Sequence, residues 1–249
     1  MFNTIYILWL RQIKRYWRSK SRIIGSLGQP VLFLVALGFG FAPMYEASGQ
    51  GNFIQFLAPG IIAMSIIFTA MFLGMEVLWD KQFGFLKETL VAPVSRFNIM
   101  LGRTLGGASV AIFQGLLVLF ISSFFGFSLP SLGGFFLALV FMFLIALFFT
   151  ALGTAIASML EDMQGFQLIM SFLVMPIFFL SGSLFPLEGI NQVLYSVIRM
   201  NPLTYGVDGL RFGLTAQGSF SVGLDLIVLL VLTIVSLIIG AKLFSRIQT

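Results

Sequence analysis

The sequence predicts an all-α membrane protein of six transmembrane helices, with an amphipathic interfacial helix in front and a short extracellular re-entrant helix before the last span. Three observations predict it. The 249 residues are 59% hydrophobic and only 9% charged, with a mean hydropathy of +1.04, where soluble chains carry about 25% charged residues. Six apolar runs are each long enough to cross a hydrocarbon core of ~30 Å. Lysine and arginine fall almost entirely in the segments that would share one side of the bilayer.

Residues 2–22, FNTIYILWLRQIKRYWRSKSR, form the interfacial helix. At about 100° per residue, Arg11, Arg15, Arg18 and Arg22 fall within about 60° of one another. Phe2, Ile5, Trp9, Ile13 and Tyr16 occupy the opposite side. A basic face with aromatic anchors suits the headgroup plane. Lys20 falls on the apolar side, so it snorkels or lies beyond the helix end. The plainer alternative is a positive flank to the first span. A cleaved signal peptide fits poorly, because the apolar run behind this segment is long enough to span.

The six apolar runs are 23–42, 53–78, 105–127, 135–159, 166–187 and 226–244. Short connections join them, apart from some 38 residues between the fifth and sixth. No segment is long and polar enough for a second domain, so residues 1–249 read as one membrane domain. Six Lys and Arg precede the first span, four (Lys81, Lys87, Arg96, Arg103) lie between the second and third, and two (Lys242, Arg246) are at the C-terminus; only Arg199 and Arg211 fall opposite. The positive-inside rule therefore places the chain in the cell membrane with both termini cytoplasmic.

Within these runs there is essentially no ionisable residue, Glu76 lying a turn from the membrane edge, which argues against ion-coupled carriers and voltage sensors. The chain has no histidine and no cysteine, which removes the usual general base, thiolate and imidazole metal sites, and disulfides. Gly102 with Gly106, Gly153 with Ala157, and Ala151 with Ala155 have the small-xxx-small spacing of close helix contacts. In the fifth run Pro176, and then Ser181, Gly182, Ser183 and Pro186, argue against a continuous helix to Leu187. Beyond it, Ile190, Leu194, Val197 and Ile198 recur at helical spacing before Pro202, which suggests a short helix in or on the outer leaflet and a candidate extracellular gate at 186–211.

The longest charged interruption after the N-terminus is 79–96, WDKQFGFLKETLVAPVSR. Glu76 and Asp80 are spaced i, i+4, Gly84 allows a sharp turn, LKETLV can form one or two helical turns that Pro93 ends, and Ser95 is placed to cap the next helix. A solvated loop is the bland alternative.

WDKQFGFLKETLVAPVSRFNIMLGR resembles the cytoplasmic segment of ABC-2 type ABC transporter permeases. Far from it, FFLSGSLFPLEGI followed by MNPLTYGVDGLR resembles the family's fifth-span exit and outer segment. The resemblance implies a drug- or polysaccharide-exporter-like permease working as a homodimer, with two copies of a separate ATPase subunit. Trp79, Asp80, Gly84, Phe85, Leu86, Lys87, Glu88, Leu90, Pro93 and Arg96 would then form the ATPase-coupling segment. The spans facing each other across the path would contribute Pro59, Ser65, Thr69, Ser171, Pro176 and Ser181. Pro186, Asn201, Pro202, Tyr205, Asp208 and Arg211 would close the exterior, with Asp208 and Arg211 spaced i, i+3 for pairing. The sequence lacks the further proline that many members carry beyond the position of Pro186, and an asparagine near Ser171.

No GxxxxGK[ST] occurs, so ATP and Mg would be bound by the partner, no cofactor is expected on this chain, and the chain is not itself an enzyme. Membrane lipids are the other expected partners, and nucleic acid is not one. The competing reading is an ATPase-independent channel, scramblase or carrier; a membrane enzyme or a purely structural subunit fits less well.

Overall fold

In a computed structural model, the described residues 2–47, 49, 51–86, 94–187 and 189–245 are helices and short connections, with no strand among them. In chain order the helices are α1 (Phe2–Arg18), α2 (Lys20–Ala47), α3 (Phe53–Gln82), α4 (Arg96–Phe124), α5 (Leu132–Met159), α6 (Met163–Phe179), α7 (Gln192–Met200), α8 (Pro202–Thr215) and α9 (Val222–Ser245). Short polar residues start many of them. Asn52, Ser95, Ser131, Asp162, Asn191 and Asn201 each accept a hydrogen bond from a backbone N–H in the first turn of α3, α4, α5, α6, α7 and α8 respectively. Each satisfies a donor that has no partner inside its own helix.

α2, α3, α4, α5 and α9 are long and apolar enough to cross a membrane. Each extends past the apolar run that predicted it, and the extensions bring in Asp80, Arg103 and Asp225; these, and Glu76 inside its own run, are all buried. The expectation of uncharged spans therefore fails at the helix ends. The fifth run becomes only the 17-residue α6, about 26 Å at 1.5 Å per residue, and residues 180–187 leave the helix. Within α6, Met170–Val174 form a turn of π-helix, with the Met175 N–H bonded to the Met170 carbonyl. Pro176 follows directly. The wider turn accommodates a ring that brings no N–H and would press on the carbonyl four residues back.

α3 is the central helix, buried along nearly its whole length and in contact with α2, α4, α5 and α8. α2, α6 and α9 lie at the periphery and expose large apolar side chains, among them Leu32, Phe39, Phe172 and Ile238. In lipid no hydrophobic force draws apolar helices together, so contact depends on close packing. Glycine supplies it at the α3–α5 crossing. A Cβ on Gly74 would stand 2.6 Å from the Gly153 carbonyl carbon and the Thr154 nitrogen, both backbone atoms that cannot yield.

Gly74→Ala is expected to cost about 1 to 3 kcal/mol by overpacking, whereas Gly133→Ala, whose Cβ meets nothing within 4 Å, should be neutral. Thermal unfolding of the two purified variants in detergent measures the difference; equal midpoints would show that the crossing is not glycine-dependent.

Candidate functional site

The site begins with two carboxylates on one face of α3. Glu76 and Asp80, one helical turn apart, are about 4% and 3% exposed, and four guanidiniums from three other helices converge on them. Arg22 Nη1 lies 2.7 Å from Glu76 Oε1 and Arg15 Nη1 3.3 Å from Oε2. Arg15 also stands 3.7 Å from Asp80 Oδ1, and Arg11 3.6 Å from Oδ2. Arg103 of α4, itself buried, donates from Nη2 to Asp80 Oδ2. Buried charges are expensive unless paired and hydrogen-bonded, so the cluster ties α1, α2 and α4 to the end of α3.

This changes the reading of residues 2–22. The helix ends at Arg18, and Lys20 and Arg22 open α2, which resolves the misplacement of Lys20. The basic stripe is not simply a headgroup face: Arg11, Arg15 and Arg22 are drawn to α3, and only Arg18 stays exposed without an ion pair among the described residues. Much of the predicted aromatic anchor face is likewise turned inward. Trp9 Nε1 donates to Ser109 Oγ at 3.0 Å, and the Tyr16 hydroxyl to Gln114 Oε1 at 2.5 Å. Burial pushes the Tyr16 hydroxyl above its ordinary pKa, while its contact with Ser26 and the charge of Arg22 oppose the shift. The predicted Gly102 and Gly106 pair lets the helices meet, since a Cβ on Gly106 would lie 2.7 Å from Gln12 Cβ and one on Gly102 2.9 Å from the Ile5 carbonyl oxygen.

The charged stretch leaves this cluster directly. α3 ends at Gln82, Gly84 turns the chain with φ +79°, and Ser95 caps α4 as its spacing predicts. Trp79 stacks on Phe83 at 5.7 Å. Phe85 is exposed and Leu86 buried in the core, while Arg96 is half-buried. Lys87, Glu88, Leu90 and Pro93 lie outside the described residues. Lys81 and Gln82 donate to the carbonyls of Leu160 and Glu161, joining the stretch to the connection between α5 and α6.

Of the predicted pathway residues, only Ser65 and Thr69 come together, in a cavity of about 490 Å³ between the α1–α2 elbow and α3. Pro59 is buried within α3. Ser171 and Pro176 are on the exposed side of α6, whereas Ser181 is buried and bonded to Ser183 and to the Phe178 carbonyl.

The predicted gate residues lock the exit of α6 in place. Asn201, between α7 and α8, donates from Nδ2 to the carbonyls of Ile177 at 2.6 Å and Leu180 at 2.9 Å, and Pro202 opens α8. Tyr205 donates to the Arg199 carbonyl at 2.7 Å. Pro186 lines a pocket with Tyr45 and Phe53. The i, i+3 pair of Asp208 and Arg211 does not form a salt bridge. Asp208 instead accepts from the N–H groups of Ser219 and Phe220, at 2.7 and 2.9 Å. Arg211 donates to the Gly182 carbonyl at 2.9 Å and lies 4.2 Å over the Phe56 ring. Backbone partners lie closer to each side chain than the two side chains do to one another.

The ABC-2 type transporter family profile matches residues 3–215, nearly everything from α1 through α8. The chain belongs to that family. It is 25% identical to a putative transport permease, ycf38, of Cyanophora paradoxa over 98% of this chain and 89% of that one. It is 23% identical to nodulation protein J of Sinorhizobium fredii over 96% and 92%, and 26% identical to the inner membrane transport permease YadH of Escherichia coli over 83% and 80%. The ABC-2 match spans both the charged stretch and the outer segment, whose residues the fold places at opposite ends of α3.

Sequence reasoning missed Arg103 as the partner of Asp80 on α3, and Ser109 and Gln114 as partners of α1. A signal was present: a cation and an amide well inside an apolar helix, as Arg103 and Gln114 are, must find partners. Asp80→Asn strands the buried Arg103 and is expected to cost about 3 to 5 kcal/mol, and Asp80→Asn with Arg103→Gln to recover part of the loss. Denaturant unfolding in detergent tests both; a double variant no more stable than the single would sink the pairing.

Proposed function

We propose that this chain is the transmembrane subunit of an ATP-driven ABC exporter, working as a homodimer with two copies of a separate ATPase subunit in the cell membrane. The observation that carries the reading is the charge cluster. It binds the helix at the N-terminus, the elbow into α2 and the end of α3 together immediately before the 79–96 stretch. That stretch begins in the last turn of α3, so a displacement imposed on it acts at the cluster. ATP does work on a permease only if a rigid element carries the motion of the ATPase to the spans.

In this reading both termini and 79–96 are cytoplasmic, in keeping with the excess of Lys and Arg at that end. α6 and the turns at 180–187 complete a sixth crossing, which is supported by the bonds from Asn201 and Arg211 to its far end. The segment of α7 and α8 is the extracellular gate, with the re-entrant helix sealing the outer mouth. The substrate path runs between two copies, along Ser65, Thr69 and the exposed face of α6 with Ser171 and Pro176. Lys87 and Glu88 meet the ATPase, which brings ATP and Mg.

The test is purification from native membranes with an affinity tag on this chain. The expected complex holds a P-loop ATPase in equal number with the permease, and Lys87→Glu with Glu88→Lys weakens its retention about tenfold while leaving membrane insertion intact. A chain that purifies without an ATPase, or a doubly reversed variant that holds it equally well, would favour an ATPase-independent channel, scramblase or carrier.

A further inference from the structure

The cavity beside the charge cluster joins Ser65 and Thr69 of the proposed path to charged and apolar groups that the transport reading does not use. At about 490 Å³ it has the size of a small-molecule site, and its wall changes character along α3. At the mouth stand Arg15 and Arg22 with Glu76 between them, two guanidiniums against one carboxylate. Arg22 engages Glu76 through Nη1, which leaves the donors on Nη2 and Nε for an anion. The middle is apolar, formed by Phe68, Phe72 and Leu73. Thr69 lies there too, and the end away from the cluster turns polar again with the buried Ser65 and the exposed Gln29.

Ser65 is the second, independent sign of a ligand. It is about 2% exposed, and its hydroxyl has no hydrogen-bond partner. A serine in a helix ordinarily returns its proton to the carbonyl one turn back, as Thr104, Ser122, Thr150 and Ser158 do here. Ser65 instead lines the cavity unsatisfied, and such a group is costly unless something in the cavity bonds it. Ser65 and Glu76 are eleven residues apart on one straight helix, about 16 Å at 1.5 Å per residue.

We propose that this cavity is a binding site for an elongated amphiphilic anion: a carboxylate- or phosphate-type head at Arg15 and Arg22, an apolar body along Phe68 and Phe72, and a hydrogen-bonding group that meets Ser65. The site lies within one copy of the chain and shares Ser65 and Thr69 with the proposed path, but its occupancy needs neither an ATPase nor ATP, so its failure and that of the transport reading are told apart.

The probe is 12-hydroxystearate, whose charged head and chain hydroxyl are separated by a length of extended chain that matches the site. It is compared with stearate and with methyl 12-hydroxystearate. Trp79 at the mouth reports binding once Trp9 and Trp17 are replaced by Phe, in nanodiscs of zwitterionic lipid. The acid is expected to give saturable quenching at least tenfold tighter than its methyl ester and several-fold tighter than stearate. Gly25 lines the cavity, and a Cβ on it meets nothing within 4 Å, so Gly25→Leu fills the space while keeping every residue of the charge cluster. It should keep the parent's thermal midpoint and lose at least tenfold in affinity. Ser65→Ala should reduce 12-hydroxystearate to the level of stearate while leaving stearate unchanged. Equal binding by the parent and Gly25→Leu, by the acid and its ester, or by 12-hydroxystearate and stearate overturns the proposal.

Discussion

Two carboxylates on α3 face four guanidiniums, and the arrangement of the basic end of the molecule depends on that imbalance. Neither Glu76 nor Asp80 could remain ionised and buried at the end of an apolar helix without cations beside it. No single helix supplies enough of them, so α1, α2 and α4 each contribute. The N-terminal helix is held by charge on one edge and by hydrogen bonds from Trp9 and Tyr16 to α4 on another. A helix fixed along two edges moves with its neighbours.

The far end is held by a different chemistry. Between α6 and α8 the bonds run from side chains to backbone: Asn201 and Arg211 donate to carbonyls that the broken α6 and the turns after it leave free. Gly60 permits the approach, since a Cβ there would run into the Ser183 carbonyl. Irregular backbone at membrane depth is tolerated only where protein satisfies it, and here two side chains do so. The central helix thus connects an ionic cluster at one end to a polar clasp at the other, with glycine contacts to α5 between them. In an ABC-2 permease such a helix is a natural carrier of motion across the bilayer.

Much of this was legible in the sequence because it is local or periodic. The apolar runs place the long helices, the i, i+4 spacing puts Glu76 and Asp80 on one face, and Gly84 and Ser95 mark the turn and the cap. Gly102 and Gly106 announce a close contact, although not that α1 is the helix that makes it. What the sequence hides is the choice of partner. Arg103 is 23 positions from Asp80, and Arg211 is 29 from the carbonyl of Gly182; no periodicity links them. The expectation of an Asp208 and Arg211 pair failed for the same reason, because spacing along a helix records which side chains can meet and not which backbone groups compete for them. Pro176 and the residues after it foretold that α6 would break, while the π-helical turn that absorbs the proline depends on packing.

The account claims that the charge cluster makes α1 and the end of α3 one rigid unit. The chain has no cysteine, so spin labels can be placed freely at Arg18→Cys and Phe83→Cys, both at exposed positions. Pulsed electron resonance then reads the distance between the two labels in the reconstituted protein. The account predicts a single narrow distribution in the parent that broadens when Glu76→Gln and Asp80→Asn remove the carboxylates. A broad distribution in the parent, or one the two substitutions leave unchanged, would contradict it.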